Sequence, residues 1–143
     1  MTPADGPVEG RRRGLLDTST VILLARINDP SLLPAEPQIS AITLAELSVG
    51  PLVALDDSER ATRQSHLQQA ESDFDPLPFD AEAARAFGRV ASSLRQAGRK
   101  SSARSYDAMI AAVAIANDLP LYTCNPEDFR GIPELVVVAV SAT

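Results

Sequence analysis

Four acidic residues stand where the pattern of the chain changes from strand to helix, and no basic residue stands with them. Asp17 ends Gly14-Leu15-Leu16, Glu46 lies in the first turn after Gln38-Ile39-Ser40-Ala41-Ile42, Asp107 opens the apolar stretch Ala108 to Ala116, and Asp128 follows Leu121-Tyr122-Thr123-Cys124. Parallel α/β sheets bind ligands beyond the carboxyl ends of their strands, so such residues face a common edge. Carboxylates gathered there repel one another and raise their own pKa values unless a divalent cation neutralises them. An all-oxygen donor set without His or Cys selects Mg²⁺ or Mn²⁺ rather than zinc.

Each acid also has a simpler explanation at the start of a helix. Asp17 can cap the helix that follows it. Thr43-Leu44-Ala45-Glu46 fits a capping box, in which the glutamate reaches back to the N–H of the capping threonine. Asn125-Pro126-Glu127-Asp128 reads as a capped start with acids in its first turn. Asp107 is harder to explain this way, because the nine apolar residues behind it imply burial. A buried, unpaired carboxylate is costly and needs a cation or a proton.

Other chemistries find little support. The single cysteine, Cys124, excludes a disulfide within the chain, and with one histidine, His66, a four-ligand Cys/His zinc site is excluded too. His66 sits among polar residues without an orienting partner and reads as a surface histidine, and Cys124 as an apolar strand thiol. Neither G-x-x-x-x-G-K-[ST] nor G-x-G-x-x-G occurs. The 143 residues, 45% hydrophobic, suit one domain, and a net charge of −6 argues against holding nucleic acid by bulk electrostatics. Lacking an apolar run near the roughly 20 residues that span a bilayer, and an export signal, the chain is expected in the cytoplasm, away from membranes.

The elements that must position the acids alternate. Residues 1–13 combine Pro, Gly and charge and read as a disordered extension or tag remnant, leaving 14–143 as the domain. A strand at Gly14–Leu16 precedes a helix beginning at Thr18-Ser19-Thr20. Pro30 to Pro37 reads as a loop, Gln38–Ile42 as a strand, and Thr43–Val49 as a short helix stopped by Gly50-Pro51. Ser58–Ser72 suggests a solvent-washed helix, and Leu77 and Phe79 an edge strand around Pro78. Asp80 caps a helix whose Ala83, Phe87, Val90, Leu94 and Ala97 trace one face up to Gly98. Ser105–Asn117 is a buried helix, Leu121–Cys124 a strand, and Leu135–Val140 another. The alternation indicates a parallel sheet covered on both faces.

Leu15-Leu16-Asp17-Thr18-Ser19, Thr43-Leu44-Ala45-Glu46-Leu47 with Gly50, Tyr106-Asp107-Ala108-Met109-Ile110-Ala111-Ala112 and Thr123-Cys124-Asn125-Pro126-Glu127-Asp128-Phe129 together resemble the PIN domain. More narrowly, the chain resembles a VapC-type toxin of a bacterial toxin–antitoxin pair, from about Gly14 to Val140. The resemblance implies a PIN-like α/β/α sandwich around a central parallel sheet and a Mg²⁺- or Mn²⁺-dependent endoribonuclease. It implies Asp17, Glu46, Asp107 and Asp128 as the catalytic, metal-holding acids, with Ser19, Thr123 and Asn125 orienting waters or the acids. It also implies a small VapB-like antitoxin as partner, RNA as substrate and a homodimer.

An acidic protein that grips RNA needs a local basic surface. Arg85, Arg89, Arg95, Arg99, Lys100 and Arg104 face only Asp80 and Glu82 across that stretch, a local charge of +4. Arg99, Lys100 and Arg104, in the loop leading to Asp107, are the expected backbone contacts, while Arg85 and Arg89 fit an ordinary solvated helix face. Two further readings compete: an aspartate-based phosphohydrolase, disfavoured because Thr-Ser rather than a second acid follows Asp17, and a non-catalytic PIN-like binding module whose acids only cap helices.

Overall fold

The computed structural model describes residues 12–100 and 105–143. Most of the expected extension and all of Arg104 therefore lie outside the described residues. Strand β1 spans Arg13–Leu16, helix α1 Thr18–Ile22, strand β2 Glu36–Gln38, and helices α2, α3 and α4 Ala41–Leu52, Asp57–Asp73 and Ala81–Gln96. Helix α5 follows at Ser105–Ala116, then strand β3 at Leu121–Thr123 and strand β4 at Val137–Ala139. Short 3₁₀ turns occupy Leu24–Arg26, Pro30–Leu32 and Pro126–Phe129.

The strands form one parallel sheet in the order β2-β1-β3-β4. Successive residues on a strand point to opposite faces, and here the two central strands divide the core accordingly. Leu15 and Leu121 pack with Val90, Leu94, Ile110 and Val113 of α4 and α5. Their neighbours Leu16 and Tyr122 pack on the other side with Ile39, in the connection from β2 to α2, Leu47 of α2 and Ala70 of α3. The result is the three-layer α/β/α sandwich expected from the alternation.

Gly14 on β1 sits against the ring of Tyr122 on the neighbouring strand β3: a Cβ there would overlap Cε1 of that ring. Helix α4 starts at its Asp80 cap, whose side chain accepts from Ala83 N at 3.0 Å, and ends where Gly98 takes φ +77. Left-handed backbone of that kind suits glycine and lets Arg99 N close the helix on Leu94 O at 2.8 Å.

Four boundaries differ from the sequence expectation. The second strand lies at Glu36–Gln38, not Gln38–Ile42, because the Ser40 side chain caps α2 by accepting from Thr43 N at 3.2 Å. Pro37 is tolerated because β2 is an edge strand, where a missing N–H leaves no ladder bond unmade. Helix α2 continues through Gly50-Pro51 to Leu52, and the Arg63 guanidinium meets the Gly50 carbonyl at 2.9 Å. Leu77 makes only an isolated parallel bridge to Ser40 instead of an edge strand, and β4 is shorter than Leu135–Val140.

Candidate active site

All four acids are carried to the carboxyl edge of the sheet. Asp17 directly follows β1 and caps α1, and the turn bearing Asp128 follows β3. Helices α2 and α5 run back from that edge, the first after β2 and the second before β3, so Glu46 and Asp107 belong to their edge-side halves. Asp17 is buried, at 3% exposure, and Glu46, Asp107 and Asp128 are half-buried.

The carboxylate of Asp17 accepts on both oxygens. Oδ1 receives the backbone N–H of Thr20 at 3.1 Å and the Thr20 hydroxyl. Oδ2 receives Ser19 Oγ at 3.1 Å and Thr123 Oγ1 at 2.7 Å. Each hydroxyl is itself held by an N–H: Thr20 Oγ1 accepts from Cys124 N at 3.1 Å, Thr123 Oγ1 from Asn125 N at 2.9 Å, and Ser19 Oγ from Asn125 Nδ2 at 3.1 Å. A hydroxyl has one proton to give, so these inward N–H bonds leave each proton directed at Asp17. Ser19, Thr123 and Asn125, named from the sequence, all take part. Thr20 was not named, although it is fully buried and joins the end of β1 to the end of β3.

Glu46 is held from the β1 side as well. Thr18 Oγ1 donates to Glu46 Oε1 at 2.6 Å. The capping-box alternative is thereby overturned: Ser40, not Thr43, caps the helix, and Glu46 turns toward α1 instead of back to Thr43 N. Burial is the main influence that raises the Glu46 pKa, and the adjacent Asp17 charge adds to it, while the Thr18 hydrogen bond opposes both. The unmatched clue in the sequence was the unbroken hydroxyl run Thr18-Ser19-Thr20, which as caps alone is redundant.

The pair Asp17 and Glu46 fits a hard divalent cation by donor type and by mutual repulsion. Mg²⁺ commonly takes one or two carboxylates and completes its octahedron with water and phosphate oxygens. Among the described residues no three of the His, Cys, Asp and Glu side chains are gathered into one metal-holding group. Asp107 and Asp128 thus share the edge with the pair without closing a protein cage around it.

Arg99 and Lys100 separate in role. The Arg99 guanidinium donates to the carbonyls of Glu127 and Arg130 at 3.0 and 2.9 Å, bracing the turn that carries Asp128. Lys100 is exposed. Arg89 pairs with Glu134 at 3.0 Å and Arg85 with Glu82 at 2.6 Å, as expected of a solvated helix face. His66 lines a groove of about 310 Å³ between α1 and α3, away from the acids. No helix among the described residues is long and apolar enough to cross a membrane.

The PIN domain family model matches residues 15–135. Ribonuclease VapC5 of Mycobacterium tuberculosis is 38% identical over 121 residues, covering 83% of this chain and 87% of that protein. Ribonuclease VapC of Rickettsia bellii is 30% identical over 129 residues, covering 88% of this chain and 95% of that protein. The crystal structure of VapBC-5, a toxin–antitoxin system member from M. tuberculosis, superposes with a TM-score of 0.78 at 35% identity, over 90% of this chain and 99% of that one. VapBC2 from Rickettsia felis, bound to a DNA fragment from its promoter, gives a TM-score of 0.69 at 27% identity, over 87% and 96% of the two chains. With family, relatives and fold in agreement, the chain belongs to the PIN-domain family, in its VapC branch.

Proposed function

We propose that this protein is the endoribonuclease toxin of a type II toxin–antitoxin pair, and that it cleaves RNA with the help of Mg²⁺ or Mn²⁺. The observation that carries the proposal is the juxtaposition of Asp17 and Glu46 at the carboxyl edge of the sheet, on oxygen donors that suit such an ion. Relatives called ribonucleases and solved toxin–antitoxin complexes of the same fold support it.

Asp17 and Glu46 would hold the ion, and Asp107 and Asp128, on the same edge, would be the further acids available to it or to its waters. Once bound, such an ion polarises a scissile phosphodiester and lowers the pKa of an attacking water. Ser19, Thr20 and Thr123 keep the Asp17 carboxylate in one orientation, and Asn125 orients Ser19 and Thr123 in turn. Charge on the substrate backbone meets Lys100 and Arg104, with Arg99 shaping the adjoining turn. Attack by water leaves a 5′-phosphate and a 3′-hydroxyl. A VapB-like antitoxin is the partner that covers this edge, the toxin pairs with a second copy of itself, and its site of action is the cytoplasm, where RNA is at hand.

The test is cleavage of a mixed tRNA and rRNA preparation with and without Mn²⁺ or Mg²⁺, with Asp17→Asn alongside and the product ends mapped. Metal-dependent cuts that vanish in the variant are expected. Metal-independent cleavage or 2′,3′-cyclic phosphate ends contradict the proposal.

A further inference from the structure

We infer that Thr18 is a positioning residue that sets Glu46 beside Asp17, an inference that rests on the metal-dependent reading proposed above. Asp17 is fixed at the end of β1, but Glu46 belongs to a different element, α2, and reaches the edge on a long side chain with three rotatable torsions. Something must hold its carboxylate in register with Asp17. Among the described residues, the side-chain hydrogen bonds between α1 and α2 both run through Thr18 Oγ1: to Glu46 Oε1 at 2.6 Å and to Thr43 Oγ1 at 3.0 Å.

The direction of these bonds follows from counting protons. The Thr18 hydroxyl has one, and the short, carboxylate-directed bond to Glu46 is the stronger use of it. Thr18 therefore accepts from Thr43, which is fully buried and whose backbone N–H is anchored by Ser40 Oγ at 3.2 Å. The order Ser40, Thr43, Thr18, Glu46 ties the α2 cap to the acid one turn and a half further along the same helix, through a residue of α1. Thr18 is the only member of this series next to Asp17 in sequence, so it couples the placement of one acid to the placement of the other.

The experiment compares full-length wild type, Thr18→Val and Thr18→Ser by calorimetric titration with Mn²⁺ alone and by steady-state cleavage of tRNA in saturating Mn²⁺. Loss of a residue that orients a metal ligand typically costs about 10- to 100-fold in metal affinity or activity. Thr18→Val is expected to weaken Mn²⁺ binding and lower kcat by factors in that range, with KM for tRNA and the far-UV circular dichroism unchanged, and Thr18→Ser to restore both. Unchanged Mn²⁺ affinity and kcat in Thr18→Val overturn the inference, as does a loss that serine does not restore. Wild type that neither binds Mn²⁺ nor cuts tRNA overturns the nuclease reading and this inference with it, an outcome distinct from the other two.

Discussion

Thr123 Oγ1 donates to Asp17 Oδ2 at 2.7 Å, joining the ends of two neighbouring parallel strands through residues 106 apart in sequence. The acid is thus tied to both central strands of the sheet. Asp17→Asn keeps the size of the side chain and an oxygen for the Thr20 N–H that caps α1, while removing the charge. Cleavage is expected to fall by about two orders of magnitude or more, the scale on which a catalytic electrostatic contact is usually felt. The melting temperature without metal should not rise, because the amide nitrogen would face the Ser19 and Thr123 hydroxyls whose protons point at it, which offsets the relief of repulsion with Glu46. Gel assays of RNA cleavage and differential scanning calorimetry check the two halves.

The pKa of Glu46 is raised in the folded protein, first by burial and then by Asp17. A carboxyl group raised on folding contributes stability that is fully present below its unfolded value, about 4.3 for glutamate, and is lost as pH rises through the folded value. Glu46→Gln should therefore be more stable than wild type at pH 7, with the difference vanishing toward pH 4. Mn²⁺ should raise the neutral-pH melting temperature of wild type more than that of the variant. Urea denaturation across this pH range, with and without Mn²⁺, is the measurement.

Two neighbouring basic residues should behave differently. Lys100→Ala is expected to weaken RNA binding and to reduce the salt slope by about 0.7 for a single-stranded ligand, one contact's worth of counterion release. Arg99→Ala removes hydrogen bonds to the Glu127 and Arg130 carbonyls and should cost about 1 kcal/mol of stability, because both bonds are solvent-exposed. Filter binding at several salt concentrations, paired with chemical denaturation, separates the effects.

Gly14→Ala drives a methyl into a ring carbon of Tyr122, which is buried at 1% exposure. Overpacking of this kind typically costs about 1 to 3 kcal/mol. A lowered urea midpoint is expected, with the slope of the transition unchanged.

The order of strands and helices, the cap at Asp80 and the stop at Gly98 could be read locally, because apolar spacing and capping residues act within a few positions. The placement of Asp17, Asp107 and Asp128 at one edge followed from the same alternation. What the sequence did not show was which hydroxyl does what. Ser40 and Thr43 are both competent caps three positions apart, and the choice is made by where β2 leaves β1, a tertiary matter. Thr18, Thr20 and Thr43 looked like helix-start residues because the partners that give them further work, Glu46, Cys124 and each other, lie 25 or more positions away. The junctions pointed to the acids and the resemblance agreed, but their holders stayed unnamed apart from Ser19, Thr123 and Asn125, which the resemblance implied.

A carboxylate offers about four lone-pair directions, and Asp17 has a donor in each of them: one backbone N–H and three hydroxyls. A cation bound to this carboxylate would therefore have to take the place of a donor. Thr20 and Thr123 are fully buried, whereas Ser19 is only half-buried and is tethered by the exposed Asn125 side chain. Were a divalent cation to bind Asp17, Ser19 is the donor it would displace most readily, and the Asn125 side chain is already placed to hold the freed hydroxyl.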